Sequence, residues 1–124
     1  MEAYFRDKPE FWRRRFLLGF SAGDQLWFNR RWEVMRLLAE QGWLVFVSLQ
    51  PLLELVVLPP DFLVLVRWVL VGGEQAPGHR EMDLDWARSI RDQCVAAGVP
   101  IFIKQRTTEF LPPDLSAFDQ FPKV

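Results

Sequence analysis

The polar side chains that could do chemistry in this 124-residue chain come directly after its apolar runs. Glu74 follows one such run, and Lys104 follows the next one along the chain. A carboxylate and an ammonium group held together in a dry site can serve as acid and base, but they can equally form a structural ion pair. Glu74 and Lys104 are therefore the candidate catalytic residues, with an ion pair as the competing interpretation.

More polar residues and glycines lie at the ends of the same runs. If the runs are parallel strands, their carboxyl ends share one rim, and ligands bind at that rim in α/β sheets. The remaining candidates for a ligand-binding rim are Ser21, Asp24, Gln25, Ser48, Gln50, Gly72, Gly73 and Gln105. The glycine pair has neither the spacing of a dinucleotide fingerprint nor the ending of a P-loop, so a phosphate cradle is the less favoured interpretation.

The single histidine and the single cysteine do not add a reactive group to this set. His79 follows Gly78 in a loop and has no second histidine with which to share a metal, so we expect a surface residue. Cys94 falls on the apolar stripe of a predicted helix, where a small core residue is the expected role. The sequence predicts neither a metal site nor a cofactor.

Hydrophobic patterns predict the elements that position these residues. Apolar runs predict strands over residues 16–20, 43–49, 67–72 and 99–104. Helical periodicity with cap residues predicts one helix over residues 26–41 and a second from Asp83 or Asp85 to Ala97. The faces expected to be buried are Trp27, Arg31, Met35 and Leu38 in the first helix, and Trp86, Ile90, Cys94 and Ala97 in the second. Residues 61–66 are expected to form a short helix capped by Asp61, or a tight connection.

The order of these elements predicts the fold class. Strand, helix and strand are followed by a connector and by a second strand, helix and strand. This order indicates an α/β protein with a mainly parallel four-stranded sheet built from two βαβ units. Residues 1–15 form an N-terminal segment, residues 16–105 form the α/β domain, and residues 106–124 form an irregular tail in this interpretation.

Composition narrows the class of protein. Fifteen basic and sixteen acidic residues give a formal charge of −1, so nucleic acid is not indicated as a partner. The apolar runs are too short and too polar for a membrane span, and the charged start of the chain does not resemble a secretory leader. One cysteine allows no disulfide within the chain. We therefore expect a cytoplasmic protein.

Several short motifs occur in the order found in a phage and prophage family of uncharacterised proteins. WVLVGGE at residues 68–74 is similar to that family's W-V-I-V-G-G-E, and residues 91–94 and 104–105 match its R-D-Q-C and K-Q motifs. Upstream, residues 18–25 are similar to its L-G-V-S-V-E-N-Q, and residues 48–53 to its S-x-E-P-L-L. The resemblance covers roughly residues 17–105 and implies the C-terminal half of a radical-SAM-like (β/α) barrel.

Two departures from that family bear on chemistry. Gly23-Asp24 and Gln50 stand where the family has glutamates, so only Glu74 keeps a family carboxylate. The family's cluster is held by a three-cysteine motif in the half that this chain does not resemble. The resemblance therefore implies no iron–sulfur cluster and no radical chemistry in this chain by itself.

Half of a barrel exposes sheet edges and an apolar interior face, which must be covered by the chain's own ends, by a second copy or by a partner protein. The leading hypothesis is a non-catalytic, phage-derived protein of the bacterial cytoplasm that binds another protein. The target suggested under this hypothesis is a host defence complex of the CRISPR type. The alternative is a subunit of a radical-SAM-like enzyme that needs a separate cysteine-bearing half. The sequence does not decide whether the chain is an enzyme, and it favours a non-catalytic role.

Overall fold

A computed structural model describes residues 16–74, 77–78, 80–104 and 111–122 of the chain. The strands are β1 Leu17–Ser21, β2 Leu44–Leu49, β3 Trp68–Val71 and β4 Ile101–Ile103. The helices are α1 Gln25–Glu40, α2 Pro60–Leu65, α3 Leu84–Ala97 and α4 Pro113–Ser116. The predicted N-terminal segment, His79 and Gln105 lie outside the described residues.

The four strands form one sheet in the order in which they occur in the chain, and every pair is parallel. The predicted α/β class with a parallel four-stranded sheet is confirmed. Consecutive parallel strands joined through helices are also the arrangement of a (β/α) barrel. In the described residues the sheet is open and does not close into a barrel, which is consistent with a partial barrel-like fold.

One face of the sheet forms the core beneath the helices. Alternate side chains of a strand point to opposite faces. On this face β1 contributes the buried ring of Phe20, and the side chains of β2, β3 and β4 are aliphatic and buried. These residues are Val45, Val47, Leu49, Val69, Val71, Ile101 and Ile103. Burying each such side chain contributes roughly 1.5–3 kcal/mol, so this face carries most of the sheet's stability.

Cap residues set the limits of the two long helices. Asp24 precedes α1 and its carboxylate accepts a hydrogen bond from the Trp27 amide at 2.9 Å. Asp83 does the same for α3 through the Asp85 amide, also at 2.9 Å. Gly98 then ends α3 in the left-handed conformation, with φ at 72°. Of the helices in the described ranges, none is long and apolar enough to cross a membrane.

The predicted buried face of α1 is wrong at two positions. Trp27 and Arg31 are exposed, whereas Phe28 and Trp32 are buried beside Met35 and Leu38. Phe62 of α2 fixes this rotation, because its ring lies edge-on to Phe28 at 5.0 Å and to Trp32 at 5.1 Å. Met35 and Leu38 are buried in both the predicted and the observed rotation of α1 about its axis. The residue that distinguishes the two rotations is Phe62, which is distant in sequence.

Smaller differences affect α2 and α3. The residue that caps α2 is Pro59, while Asp61 lies in the first turn and accepts from the Phe62 amide at 2.8 Å. In α3, Ala97 is exposed, contrary to the predicted stripe. Trp86 is half-buried, and Ala87 is buried beside Ile90 and Cys94.

Where the sequence predicted an irregular tail, the described residues contain α4 and a short run beside β4. Leu115 of α4 is fully buried. The Ile103 amide then donates to the Phe118 carbonyl at 2.8 Å, and the Gln120 amide donates to the Ile101 carbonyl at 3.1 Å. An antiparallel bridge also joins Phe102 and Asp119. The tail therefore covers the outer edge of β4.

Candidate binding face and rim

The second face of the sheet is the candidate binding surface. It is called the open face here and consists of Leu17, Gly19, Ser21, Leu44, Phe46, Ser48, Trp68, Leu70 and Phe102. Gly19 and Ser21 are exposed and the others are half-buried, although their neighbours on the core side of the same strands are buried. An apolar surface of this kind is typical of an interaction site.

Aromatic rings dominate the open face. Phe46 and Trp68 lie with ring centroids 5.7 Å apart on neighbouring strands. Phe121 of the tail packs on Trp68 at 6.2 Å and on Phe102 at 5.5 Å, yet 68% of Phe121 remains exposed. Gly19 makes room for the row, since a Cβ atom at this position would overlap the Phe46 ring. The β3–β4 side of the open face is therefore already in contact with an aromatic side chain from the tail.

Two serines mark the carboxyl end of the open face. Ser21 and Ser48 are direct neighbours in the register of β1 and β2, so their hydroxyls project from the same face of the sheet. Gln50 follows two residues after Ser48, and its side chain lies against Gly72. Ser21, Ser48 and Gln50 are therefore brought together at one rim, as the strand order predicts.

The two glycines of the predicted rim serve packing. Gly72 is buried, and a Cβ atom there would lie 3.1 Å from Cδ of Gln50. Its carbonyl accepts from the Leu52 amide at 2.9 Å. At Gly73, a Cβ atom would lie 3.3 Å from Cβ of Met82. These contacts explain the glycines through the close approach of two chain segments, without a phosphate.

The ion pair that was the competing interpretation for Glu74 and Lys104 is not among the ion pairs of the described residues. The Glu74 carboxylate instead accepts from both Nε and Nη2 of the Arg80 guanidinium. The Glu74 side chain is 21% exposed and the Arg80 side chain 70% exposed, so the pair lies at the surface of the rim. The Lys104 amide donates to the Val71 carbonyl at 2.8 Å, which continues the β3–β4 ladder. The structure therefore gives Glu74 an arginine as its ion-pair partner, and a catalytic role for Glu74 and Lys104 stays a prediction.

Asp24 and Gln25 are occupied by the fold. Asp24 is the N-cap of α1. The Gln25 amide makes two hydrogen bonds to Val57, accepting from its N–H at 2.7 Å and donating to its carbonyl at 3.0 Å. Both side chains position the helix and the segment that follows β2, and neither is free to bind a ligand.

Gln93 is a key residue to which the sequence assigned no role. Its side chain accepts from the Leu58 amide at 2.7 Å and donates to the Val56 carbonyl at 3.0 Å. Gln25 holds Val57, between these two residues, so glutamines from α1 and α3 bind successive backbone groups of one extended segment. Those groups would otherwise lack partners, because no described strand pairs with this segment. An apolar segment without a strand partner was the signal that could have identified Gln93.

Cys94 is a core residue, as predicted. It is fully buried, and burial raises the pKa of its thiol to about 12. The protonated thiol is neither a nucleophile nor a metal ligand at neutral pH. Within the described ranges, no three His, Cys, Asp or Glu side chains are placed to hold a metal ion.

A depression of about 350 Å³ lies at the opposite end of the strands from the rim. It is lined by Val95, Gly98, Val99, Pro100, Gln120 and Phe121. These residues surround the start of β4, and none of them belongs to the predicted rim. The concave surface and the polar rim are therefore two separate places on the molecule.

Comparison with known proteins places the chain in a family. The family described as protein of unknown function DUF5131 matches residues 1–115. The chain belongs to this family. No curated protein and no solved structure matches the chain. The match confirms the resemblance to an uncharacterised family, and it extends beyond residues 17–105 at both ends.

The motifs that carried the resemblance have structural roles in this DUF5131 chain. In the motif at residues 91–94, Arg91 binds Asp114 at 2.9 Å, Gln93 holds the extended segment and Cys94 fills the core. In the motif at residues 68–74, Gly72 packs under Gln50. A ligand at this rim could form hydrogen bonds with Ser21, Ser48 and Gln50 and an ion pair with Lys104. The aromatic residues of the open face lie next to these groups.

Proposed function

We propose that this chain acts by binding another protein through the open face, without catalysis of its own. The observation that carries the proposal is the row of partly exposed aromatic side chains Phe46, Trp68 and Phe102 on the open face of a sheet whose other face is largely buried beneath the helices. Aromatic side chains that remain accessible in the folded chain are typical anchors of protein interfaces.

The arrangement of the rim supports the non-catalytic part of the proposal. Glu74 is paired with Arg80, Cys94 is buried, and Asp24 and Gln25 hold the backbone. Among the rim residues that the structure describes, the polar side chains without a hydrogen bond or ion pair are the hydroxyls of Ser21 and Ser48, the amide of Gln50 and the ammonium group of Lys104. Such groups can form the polar margin around an apolar interface.

The expected partner is a host protein. More specifically, we propose that the chain is phage-derived and inhibits a defence complex of the CRISPR type. This part rests on the resemblance of its motifs to a phage and prophage family. The proposed location is the cytoplasm of the bacterial host, where such complexes act.

A charge on the open face tests the proposal. Leu70→Lys places an ammonium group in the centre of the face, and Val64→Lys makes the same change on α2, where 82% of Val64 is exposed. Tagged wild type and both variants are expressed in the bacterial host, and their complexes are isolated and sized. A partner retained by wild type and Val64→Lys but lost by Leu70→Lys supports the proposal. A monomeric wild type with no specific partner contradicts it, and a homodimer dissociated by Leu70→Lys replaces the partner with a second copy.

A second candidate function is that of a subunit in a radical-SAM-like enzyme, completed by a separate cysteine-bearing chain. The sheet favours it, because consecutive parallel strands with helices on one face have the geometry of part of a (β/α) barrel. Cys94 is the only cysteine and is buried, so the other chain would have to supply all the cluster ligands. Analysis of iron and sulfide after co-expression with neighbouring genes tests this candidate. A complex without a cluster and without S-adenosylmethionine binding rejects it.

A further inference from the structure

The two edges of the sheet differ in a way that the proposed function does not explain. The outer edge of β4 is covered by the tail through Phe118 and Gln120. In the described residues β1 pairs with β2 and with no strand on its other side. Unpaired backbone groups on an edge strand are a template for another extended chain.

The backbone groups at the outer edge of β1 can be identified from the register. The Ala22 amide donates to Ser48 of β2, so the amides of Ser21 and Gly19 point away from β2. A guanidinium nitrogen of Arg31 donates to the Ser21 carbonyl, which confirms that this carbonyl faces outward. A fifth strand would find the outward groups of Leu17 and Gly19 and the Ser21 amide along this edge, next to the Ser21 carbonyl that Arg31 binds.

Helix α1 provides side chains beside the same edge. Trp27, Arg31 and Val34 follow one another at helical spacing and are exposed, with 45% of Trp27 and 51% of Val34 accessible. The Arg30 and Arg31 guanidinium groups lie over the Trp27 ring, at 5.4 and 5.0 Å from its centroid. Since Arg31 reaches the Ser21 carbonyl, this stripe borders β1 directly. The outer edge of β1 together with Trp27, Arg30, Arg31 and Val34 is called the β1 flank.

The charge of the β1 flank indicates the chemistry of its partner. Neither Arg30 nor Arg31 forms an ion pair with a carboxylate in the part of the chain that the structure describes. Two guanidinium groups on an aromatic ring complement carboxylate side chains, and the strand edge complements an extended backbone. A nucleic acid would match the arginines but has no amide ladder to match the edge.

We propose that the β1 flank binds an extended acidic segment of another protein as a fifth strand of the sheet. Backbone hydrogen bonds to Gly19 and Ser21 supply the register, and carboxylates of the segment bind Arg30 and Arg31. The flank adjoins the open face at β1 but uses backbone groups and side chains of α1 in place of the sheet side chains, so this proposal goes beyond the proposed function and is tested independently of it.

The probe is a blocked octapeptide of alternating threonine and glutamate, with a threonine–lysine octapeptide as its control. Amide chemical shifts of the isotope-labelled chain are followed during the titration. The expected result is that the glutamate peptide shifts the signals of Leu17, Gly19 and Ser21, while the lysine peptide does not. Arg30→Glu is expected to weaken binding about fivefold, because it reverses an exposed charge. Arg67→Glu makes the same change at the exposed start of β3 and is expected to leave binding unchanged.

A backbone variant tests strand addition separately from charge. Ser21→Pro removes an amide that points away from β2 and is expected to abolish binding, because proline is tolerated on an edge but cannot donate to a new strand. If Ser21→Pro does not fold, hydrogen exchange at the Gly19 amide replaces it, with slower exchange expected in the presence of the glutamate peptide.

Each of the following results would overturn the proposal. They are equal binding of the lysine peptide, no weakening by Arg30→Glu, unchanged exchange at Gly19, and Arg30-dependent binding of an oligothymidylate in place of the peptide. Shifts confined to Trp68, Leu70 and Phe102 would also overturn it, while leaving the open face as the binding surface.

Discussion

The two faces of the sheet are made by alternate residues of the same strands, yet they have different compositions. In β2, Val45 and Val47 are fully buried beneath the helices, whereas Phe46 and Ser48 between them are only half-buried on the open face. The helix-covered face is aliphatic except for the buried ring of Phe20 in β1, and the open face mixes aromatic rings with glycine and serine. One face therefore holds the fold together, while the other remains available for recognition.

The largest expected difference in stability between the two faces involves two neighbouring residues of β3. Val69 is fully buried, so Val69→Asp places a carboxylate without a partner among aliphatic side chains, and we expect a loss of more than about 4 kcal/mol in the free energy of unfolding. Leu70→Asp makes the same chemical change on the open face, where water reaches the side chain, and should cost less than half as much. Urea unfolding at neutral pH measures both, and equal losses would show that the open face is covered in solution.

The second test compares aromatic residues on the two sides of the sheet. Phe28 is fully buried against Phe20 and Phe62, with ring centroids 5.8 and 5.0 Å away. Phe28→Ala is expected to cost about 3–5 kcal/mol through the cavity that it leaves. Phe121→Ala removes a ring that is 68% exposed and should cost less than about 1 kcal/mol. Thermal unfolding of both variants measures the difference, and a large loss at Phe121 would mean that the tail is part of the core.

The contrast between the faces explains how much of the fold the sequence could predict. The strands were predictable because each is a short apolar run between turn residues, and the helix limits because Asp24, Asp83 and Gly98 have cap chemistry. The rotation of α1 was not predictable, because it depends on contacts of Phe28 and Trp32 with Phe62, more than twenty residues away. Periodicity gives the stripe of a helix but cannot name its packing partner.

The third test addresses the connection between the helices. Gln93→Ala leaves the Leu58 amide and the Val56 carbonyl without partners in a half-buried place, and we expect a loss of about 1–3 kcal/mol. Gln25→Ala removes the equivalent bonds to Val57 at an exposed place, where water can replace them, so its loss should be smaller. Urea unfolding and hydrogen exchange of the Leu58 amide measure the effect. Faster exchange at Leu58 in Gln25→Ala than in Gln93→Ala would contradict the assignment.

The candidate site was only partly predictable for a related reason. Strand order alone brings Ser21, Ser48 and Gln50 to one rim, and the structure has them there. The partner of Glu74 depends on the path of the loop that carries Arg80, which has no hydrophobic pattern to define it. Gln25 and Gln93 bind an extended segment whose unpaired backbone is evident only once the sheet is known.

The smallest expected effect concerns the tail, which runs from the helix-covered side of the sheet to the open face. Hydrogen bonds from Arg88 and then Arg91 lower the pKa of the Asp114 carboxyl below its ordinary value. A lowered pKa in the folded state stabilises the fold at pH values above the ordinary pKa, and this contribution is lost as the pH falls through the lowered value. Asp114→Asn should therefore loosen the tail at neutral pH and have progressively less effect in acid.

Hydrogen exchange of the Ile103 amide, which donates to Phe118, reports on the tail directly. Asp114→Asn is expected to speed this exchange a few-fold at neutral pH. Asp85→Asn is the matched control, because Asp85 also binds Arg88, at 2.9 Å, but lies on α3 and makes no contact that holds the tail. If wild type and Asp114→Asn differ equally at neutral and acid pH, the carboxylate does not hold the tail. If only Asp114→Asn exposes Phe102 and Trp68 further, the tail limits access to the open face.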